Sequence, residues 1–396
     1  MREVVITDIQ YRMTMTAIWS LGRKGIPITA VAFETTKPFE RLGFFSKYVT
    51  SQVVIASPDE SERDFISQLT AIGHQILART GERPVLIVPR SQTHECVVQY
   101  SELLKPCFEY HLVCLENLER ANNTFLLSEV ANEVKVPFPK TTWLQEEETI
   151  AMLASRLTYP VVIKYRFAER LTLKPEQRYR IIGNSNDFIA AYAEMHAIQN
   201  APLVQQYVTG SGFGVSCVFD DSHEPTAIFC HKRLREYPVS GGPSTLCESI
   251  WDDRMVRYAV DLLKALNWRG FAMVEFKGEI GGEIYLMEIN PRFWGSMMLS
   301  LQAGCDMPFA YYKSVLRLST AHRGQMSFGN RYRLGVRMQF IMQDLLSVVG
   351  NLKKHPMGIV SYFSHLASPA TKDGLLSLSD PKPGIKYMMN ALFRRH

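Results

Sequence analysis

FAMVEFKGEI, Phe271 to Ile280, and EIYLMEIN, Glu283 to Asn290, stand either side of Gly281-Gly282 and read as the two arms of a β-hairpin. A Gly-Gly pair between alternating runs suits a two-residue primed turn. Pairing Ile280 with Glu283 then sets Glu275 opposite Glu288. Side chains alternate along a strand, so Glu288 and Asn290 share one face while Met287 and Ile289 take the apolar one. Directly opposed like charges destabilise a sheet unless something neutralises them. A divalent cation would do so. Carboxylate and amide oxygens suit a hard ion, and magnesium usually takes one or two carboxylates together with phosphate oxygens. Glu275, Glu288 and Asn290 are therefore candidate Mg2+ ligands, with Mn2+ the natural substitute. Pro291 cannot donate to the ladder and ends the strand. Arg292 follows directly, where a guanidinium is suited to a phosphate oxygen.

Working outward, strand-like runs REVVITDI and ITAVAFE enclose a helix-like TAIWSLGRKG, with Gly25 as its stop. PVLIVP (Pro84 to Pro89) follows a helical stretch from Glu60 to Arg79, and HLVCL (His111 to Leu115) reads as one further strand. Strand and helix in alternation predict a doubly wound α/β lobe. It contains no GxGxxG, so a nicotinamide cofactor is not expected; part of a substrate site is. From Leu118 a helix, NNTFLLSEVANEV, ends near Pro137. YPVVIKY, RIIGNSND, LVQQYV, GVSCVFD and TAIFCHKRL then succeed one another at strand spacing, which predicts antiparallel sheet. DRMVRYAVDLLKALN is an amphipathic helix, and GSMMLSLQAG and PFAYYKSVLRL are helical after the hairpin. The tail beyond Asn330 carries helix-like apolar stretches and an SDPKPG breaker, with docking on the body favoured over membrane contact.

Composition sets bounds on function. Of the 396 residues, 46% are hydrophobic and 21% charged, as in an ordinary globular protein. A net charge of +5 without a basic run does not indicate nucleic acid. No apolar stretch reaches membrane-spanning length, and MREVVITDI lacks a signal peptide's apolar core, so a cytoplasmic protein is expected. Seven cysteines without a CxxC or zinc spacing read as reduced thiols.

Taken in order, VVIKY, LVQQYV, HKRLREYPVSGGPSTLCES, EF and MEINPRFWGS resemble the ATP-grasp superfamily over roughly Leu118 to Leu318, in particular its carboxylate-amine ligases and carbamoyl-phosphate-synthase-like short forms. The resemblance implies an ATP-grasp fold, two α+β lobes clasping ATP, preceded by a Rossmann-like α/β lobe. The boundaries expected are an N-terminal lobe over 1–117, a small lobe over 118–202, a large lobe with the metal site over 203–330 and a mostly helical extension over 331–396. It implies that Lys164 contacts ATP phosphate, that Gln205, Gln206, Tyr207 and Val208 surround the adenine, and that Lys232 and Ser244 assist the nucleotide. It also implies a carboxylate activated as an acyl phosphate and joined to an amine, with release of ADP and phosphate. Small-molecule acid and amine substrates follow, and dimers are common in the superfamily. Carboxyphosphate or carbamate chemistry is the second reading, and a non-catalytic nucleotide-binding regulator the third. Arg233 and Arg235, two apart on a strand, are expected to share a face and clamp an anion or the acyl phosphate; amides near Gly241 and Gly242 would assist. Three departures from the superfamily pattern stand out. The segment from Arg166 to Arg180 has no glycine, so Arg166, Arg170 or Lys174 would replace a glycine-rich phosphate loop; Asn122-Asn123 stands where a lysine is common; and glutamine replaces an acidic residue at the hinge.

Overall fold

The computed structural model describes residues 1–166, 171, 173, 177–237, 242–318, 332–352 and 356–393. Three sheets organise them. The first holds strands β1 (Val4–Ile6), β2 (Ile28–Phe33), β3 (Ser51–Ile55) and β4 (Val85–Ile87), all parallel in the order β3-β2-β1-β4. β1, β2 and β4 are wholly buried, as parallel strands covered on both faces must be. Alternation divides β1 between two cores: Val4 and Ile6 pack with helix Met15–Gly22, and Val5 with helix Glu62–Thr80. That second helix starts where the Ser61 hydroxyl accepts the Asp64 N–H and stops at Gly81, φ +74°. β3 has an exposed edge pattern and no clear apolar run, which hid it in the sequence. His111–Leu115 is not a strand. Only Glu109 bridges β4, the His111 N–H is taken by the Tyr311 hydroxyl at 3.0 Å, and helix Leu115–Asn122 begins at once.

A second, antiparallel sheet has the order β5-β8-β6-β7, from β5 (Thr141–Thr142), β6 (Val161–Lys164), β7 (Tyr179–Ile182) and β8 (Leu203–Gln206). Helices Ile150–Ser155 and Ser185–Ile198 pack against it around Phe188 and Tyr192. Helix Thr124–Glu133 follows Asn123, whose side chain accepts the Phe125 and Leu126 N–H groups; a cap, not a phosphate ligand, occupies this position. With helix Leu115–Asn122 it packs against the third sheet.

That third sheet runs β13-β12-β9-β10-β11-β14-β15, from β9 (Ser211–Phe219), β10 (Pro225–Glu236), β11 (Ser244–Ile250), β12 (Gly270–Gly278), β13 (Ile284–Asn290), β14 (Arg337–Gln339) and β15 (Thr371–Asp373). One face is covered by helix Asp253–Ala265, and the other joins the N-terminal lobe through helices Met297–Ala303 and Met307–Val315. The tail is less purely helical than expected, because it contributes β14 and β15 to this sheet. Its last part docks on the N-terminal lobe. The Asp380 carboxylate accepts from Trp19 Nε1 at 2.9 Å, Ser46 Oγ at 2.5 Å and the Lys47 N–H at 3.2 Å.

Candidate active site

Glu275 does face Glu288, although not by the turn the glycines suggested. The strands stop at Gly278 and Ile284, and the connection holds a turn in which the Gly282 N–H donates to the Glu279 carbonyl and Gly281 has φ +84°. That shifts the register by one residue. A bulge at Met287 shifts it back, between the pairs Phe276–Leu286 and Glu275–Glu288. Met287 is accordingly half-buried and outside the core, while Leu286 and Ile289 fill it. Asn290 shares the carboxylate face, its Nδ2 donating to Glu275 Oε1 at 3.0 Å and to Glu288 Oε1 at 2.9 Å.

The row continues across the sheet, since Glu275 pairs with Gly214 of β9 and Gly214 with His231 of β10. A Cβ on Gly214 would stand 2.3 Å from His231 Cε1, and one on Gly212 3.0 Å from Arg233 Cδ. Glycine at these two positions lets β10 side chains lie across β9 toward the hairpin. Arg233 uses the gap. Its Nη2 meets Glu275 Oε1 at 2.5 Å, its Nη1 meets Glu236 at 3.3 Å, and its buried Nε has no hydrogen-bond partner among the described residues. His231, two residues earlier, shares a hydrogen bond with Ser296 Oγ at 3.0 Å.

These positions decide the charges. Burial raises the Glu275 carboxyl to about 7 despite Arg233, and Glu288 pushes the same way. Burial opposes the Arg233 charge, but Glu275, Glu236 and Glu288 outweigh it and hold the guanidinium protonated. Burial and then Arg233 bring His231 down to about 3, so its ring is neutral. Across the cleft, burial lowers the Lys164 ammonium while Glu288 acts in the opposite direction. Lys164 Nζ donates to Gln205 Oε1 at 3.0 Å, and Gln205 Nε2 to Thr141 Oγ1 at 2.9 Å. Gln205 is buried and Gln206 exposed. The Tyr207 ring carries Lys277 Nζ 5.1 Å from its centroid, tying the small sheet to β12, and Val208 is buried beside it.

Other expected residues lie elsewhere. Arg233 and Arg235 do not share a face, because a register shift at Leu234 turns Arg235 away. Arg235 instead grips Asp344 of the tail at 2.8 and 2.6 Å and Ser361 Oγ at 3.0 Å. Lys232 points to the opposite face, its Nζ 5.9 Å from the Phe213 ring. Ser244 pairs with Glu236, its buried hydroxyl without a partner among the described residues. Arg292 donates to the Phe293 carbonyl at 2.9 Å and among the described residues makes no ion pair with the two glutamates. Arg166 is structural, donating to the Ala201 carbonyl at 2.7 Å with its guanidinium 5.2 Å from the Trp143 ring. Arg170, Lys174 and Gly241 lie outside the described residues.

Sequence reading missed a cavity of about 610 Å3 at the carboxyl ends of β1 to β4, the usual ligand position in a parallel sheet. Gln10, Tyr11 and Arg12 line it from the loop after β1, Arg90 from the loop after β4, and Tyr387 and Asn390 from helix Pro381–Phe393. Beneath it lies Asp8, raised to about 6 by burial although the Thr7 and Thr93 hydroxyls donate to it at 2.7 and 3.0 Å. The cavity adjoins the cleft. The Phe293 N–H donates to the Pro89 carbonyl at 3.1 Å, and the neutral His94 ring bonds the Pro291 carbonyl through Nδ1 at 3.0 Å. Arg12 stacks on Phe340, 3.7 Å from its centroid, and among the described residues has no acidic partner.

Residues 199–335 match the family described as "ATP-grasp in the biosynthetic pathway with Ter operon". The chain has the ATP-grasp fold. Among solved ATP-grasp structures, the biotin carboxylase complex with β,γ-ATP from Campylobacter jejuni is 15% identical with a TM-score of 0.60, over 85% of this chain and 74% of that one. The biotin carboxylase domain of 2-oxoglutarate carboxylase from Hydrogenobacter thermophilus, a complex with MgADP, ADP and bicarbonate, is 12% identical with a TM-score of 0.59, over 85% and 73%. An L-amino acid ligase from Bacillus licheniformis is 13% identical with a TM-score of 0.56, over 80% and 74%.

The donor set at the ATP-grasp hairpin fits a hard cation. Two facing carboxylates, one raised to about 7 by burial although Arg233 lies beside it, stand next to an amide whose oxygen is a third hard donor. Among the described residues no cluster of three or more His, Cys, Asp and Glu would hold a metal, so this site would complete its shell from a ligand.

Proposed function

We propose that this chain is an ATP-dependent, ADP-forming ligase that activates a carboxylic acid as its acyl phosphate and joins it to an amine. The observation that carries the reading is the Glu275–Glu288 pair bridged by Asn290, with Arg233 on one side and the electrostatic reach of Lys164 on the other. Glu275, Glu288 and Asn290 would hold Mg2+, which when bound supplies neutralisation of triphosphate charge. Lys164 orients a phosphate, and Gln205 fixes Lys164. The stretch from Gln205 to Val208 lines the adenine side. The acid sits with its tail toward the cavity of the N-terminal lobe, where Arg12 offers a guanidinium with no acidic partner among the described residues. Its carboxylate oxygen attacks the γ-phosphorus, the bond to the β-bridging oxygen breaks, and ADP leaves. Arg233 neutralises the acyl phosphate through Nε, a donor without a partner among the described residues. The amine then attacks the acyl carbon, phosphate leaves, and the amine loses a proton. Positioning and charge carry such a reaction, so no covalent protein nucleophile is required. Cys247 is buried, and burial pushes its thiol up to about 12, out of nucleophilic range.

ADP release measured against panels of acids and amines with Mg2+ tests the proposal. Release that needs both an acid and an amine is expected. Release driven by bicarbonate without an organic acid would replace it with carboxyphosphate chemistry, and tight ATP binding without release under any pair would replace it with a regulatory role.

A further inference from the structure

Three arginines that reach the interior each meet a carboxylate: Arg90 has Asp59 at 2.7 Å, Arg233 has Glu275 and Arg235 has Asp344. Arg12 does not. It is half-buried in the wall of the cavity of about 610 Å3 at the carboxyl ends of β1 to β4, and among the described residues its guanidinium makes no hydrogen bond and no ion pair. What it has instead is a platform. Its Cζ stands 3.7 Å from the centroid of the Phe340 ring. That residue is itself fixed, its N–H donating to the Thr245 carbonyl at 2.8 Å and its ring lying against Gly374, where a Cβ would stand 2.3 Å from Cε1. Stacking engages the π face of a guanidinium and leaves its five N–H donors, which lie in the plane. Arg12 is thus held in place with its hydrogen-bonding capacity unused.

The surrounding charges decide what completes its shell. Of the acids lining the cavity, Asp59 is taken by Arg90, and Glu40 has a partner of its own. Asp8 lies beneath, fully buried, with the Thr7 and Thr93 hydroxyls donating to it. A half-buried guanidinium in a cavity wall calls for an oxyanion, which it takes through two parallel N–H bonds. The Gln10 amide oxygen, buried and without a donor among the described residues, is a second open polar position in the same wall. A cavity of this size holds a small organic molecule. It also leads to the reacting end. Arg12 Nη2 lies 3.7 Å from where a Cβ on Gly295 would stand, and Ser296, next in the chain, shares a hydrogen bond with His231 at 3.0 Å. His231 in turn lies across Gly214 from Glu275. An acid with a single carboxylate at the γ-phosphate would leave Arg12 unanswered.

We infer that the acid bears a second oxyanion at its far end, a carboxylate or a phosphate, and that Arg12 seats it in the cavity; the fate of the near carboxylate rests on the ligase reading. Arg12 is then a specificity-determining residue, remote from phosphoryl transfer. Phenylglyoxal labelling of the full chain, followed at each arginine by peptide mass, tests the seat without turnover. Acetate and inorganic phosphate are the probes, with chloride at matched ionic strength as the control. Labelling of Arg12 should slow roughly five-fold or more with one of them, while the exposed Arg63 labels at its usual rate. The anion that protects identifies the far group. ADP release with acids matched except at that end tests the substrate. Acids carrying the far oxyanion should show a KM about ten-fold or more below their plain counterparts. Arg12→Gln should erase the difference through KM more than kcat, in a chain that still melts cooperatively, since no hydrogen bond or ion pair among the described residues is lost. Arg12→Lys, which keeps the charge without the fork, should retain part of it. No protection by either anion, equal protection of Arg12 and Arg63, or a KM indifferent to the far group or to Arg12→Gln overturns the inference and leaves the ligase reading standing. Protection confined to Arg12 with no ADP release from any acid and amine supports the oxyanion seat and overturns the ligase reading.

Discussion

Replacing Glu288 by Gln separates what the hairpin needs in order to fold from what it needs in order to act. Glu275 rises from 4.5 to about 7 in the folded chain, first through burial and then through Glu288, against the pull of Arg233. A folded value above the unfolded one means that the folded state binds the extra proton. This group's contribution to stability is therefore complete below 4.5 and lost as pH rises through about 7. At pH 8 keeping Glu275 ionised costs about 3 kcal/mol. Glu288, exposed and a lesser cause, accounts for a share on the order of 1 kcal/mol. Glu288→Gln removes that share and retains an oxygen for the Asn290 Nδ2, now 2.9 Å away. The variant should melt at the same temperature or roughly 1–3 °C higher at pH 8, with the gain vanishing at pH 5. Turnover dependent on Mg2+ should fall about 100-fold or more, because one of two carboxylates that would hold the ion is gone. Scanning fluorimetry at both pH values and coupled detection of ADP read the two effects separately. Turnover within about two-fold of the parent would refute the ion site. A melting temperature several degrees lower would refute the electrostatic account.

The same titration governs metal uptake: with Glu275 raised to about 7, apparent Mg2+ affinity should climb between pH 6 and 7 and flatten above pH 8, and calorimetry in buffers of different ionisation heat should detect about half a proton released at pH 7. Asp344→Asn leaves the half-buried Arg235 without its ion partner at a fully buried carboxylate position, a loss of about 3 kcal/mol visible in the melting temperature. If Arg235 serves the tail and not the chemistry, kcat at a temperature where that variant is folded stays within about two-fold; a proportional fall in kcat would restore Arg235 to the active site. Gly214→Ala places a methyl 2.3 Å from His231 Cε1, and should displace the ring, reduce ADP release by about ten-fold or more and destabilise by about 1–3 kcal/mol. Unchanged release would show that the flat approach of β10 to β9 is dispensable.

Legibility in the sequence followed how local each signal was. The opposition of Glu275 and Glu288 was readable because the runs on either side of Gly281-Gly282 fix a register, and the longer turn was offset by the Met287 bulge. A bulge has no reliable residue signature, so the one at Leu234, which separates Arg233 from Arg235, stayed invisible. His231 and Arg233 reach Glu275 only because β9 carries Gly212 and Gly214, and the order β12-β9-β10 that lines them up is a tertiary fact. In hindsight the spacing Gly-Phe-Gly against His-Lys-Arg was the available clue. The cavity gathers Arg12, Arg90 and Tyr387 from both ends of the chain, beyond the range of any periodicity. Edge strand β3 was missed for want of an apolar alternation.

Asp380 has one more consequence, in time rather than in space. Trp19, Ser46 and Lys47 emerge early from the ribosome, yet the carboxylate that receives their hydrogens is made more than 330 residues later. At ordinary elongation speeds that interval is roughly 20–70 s. Throughout it the nascent first lobe presents an indole and a hydroxyl still answered by water, and they are sealed only once Asp380 has been made. A product broken off before Asp380 keeps that seam open.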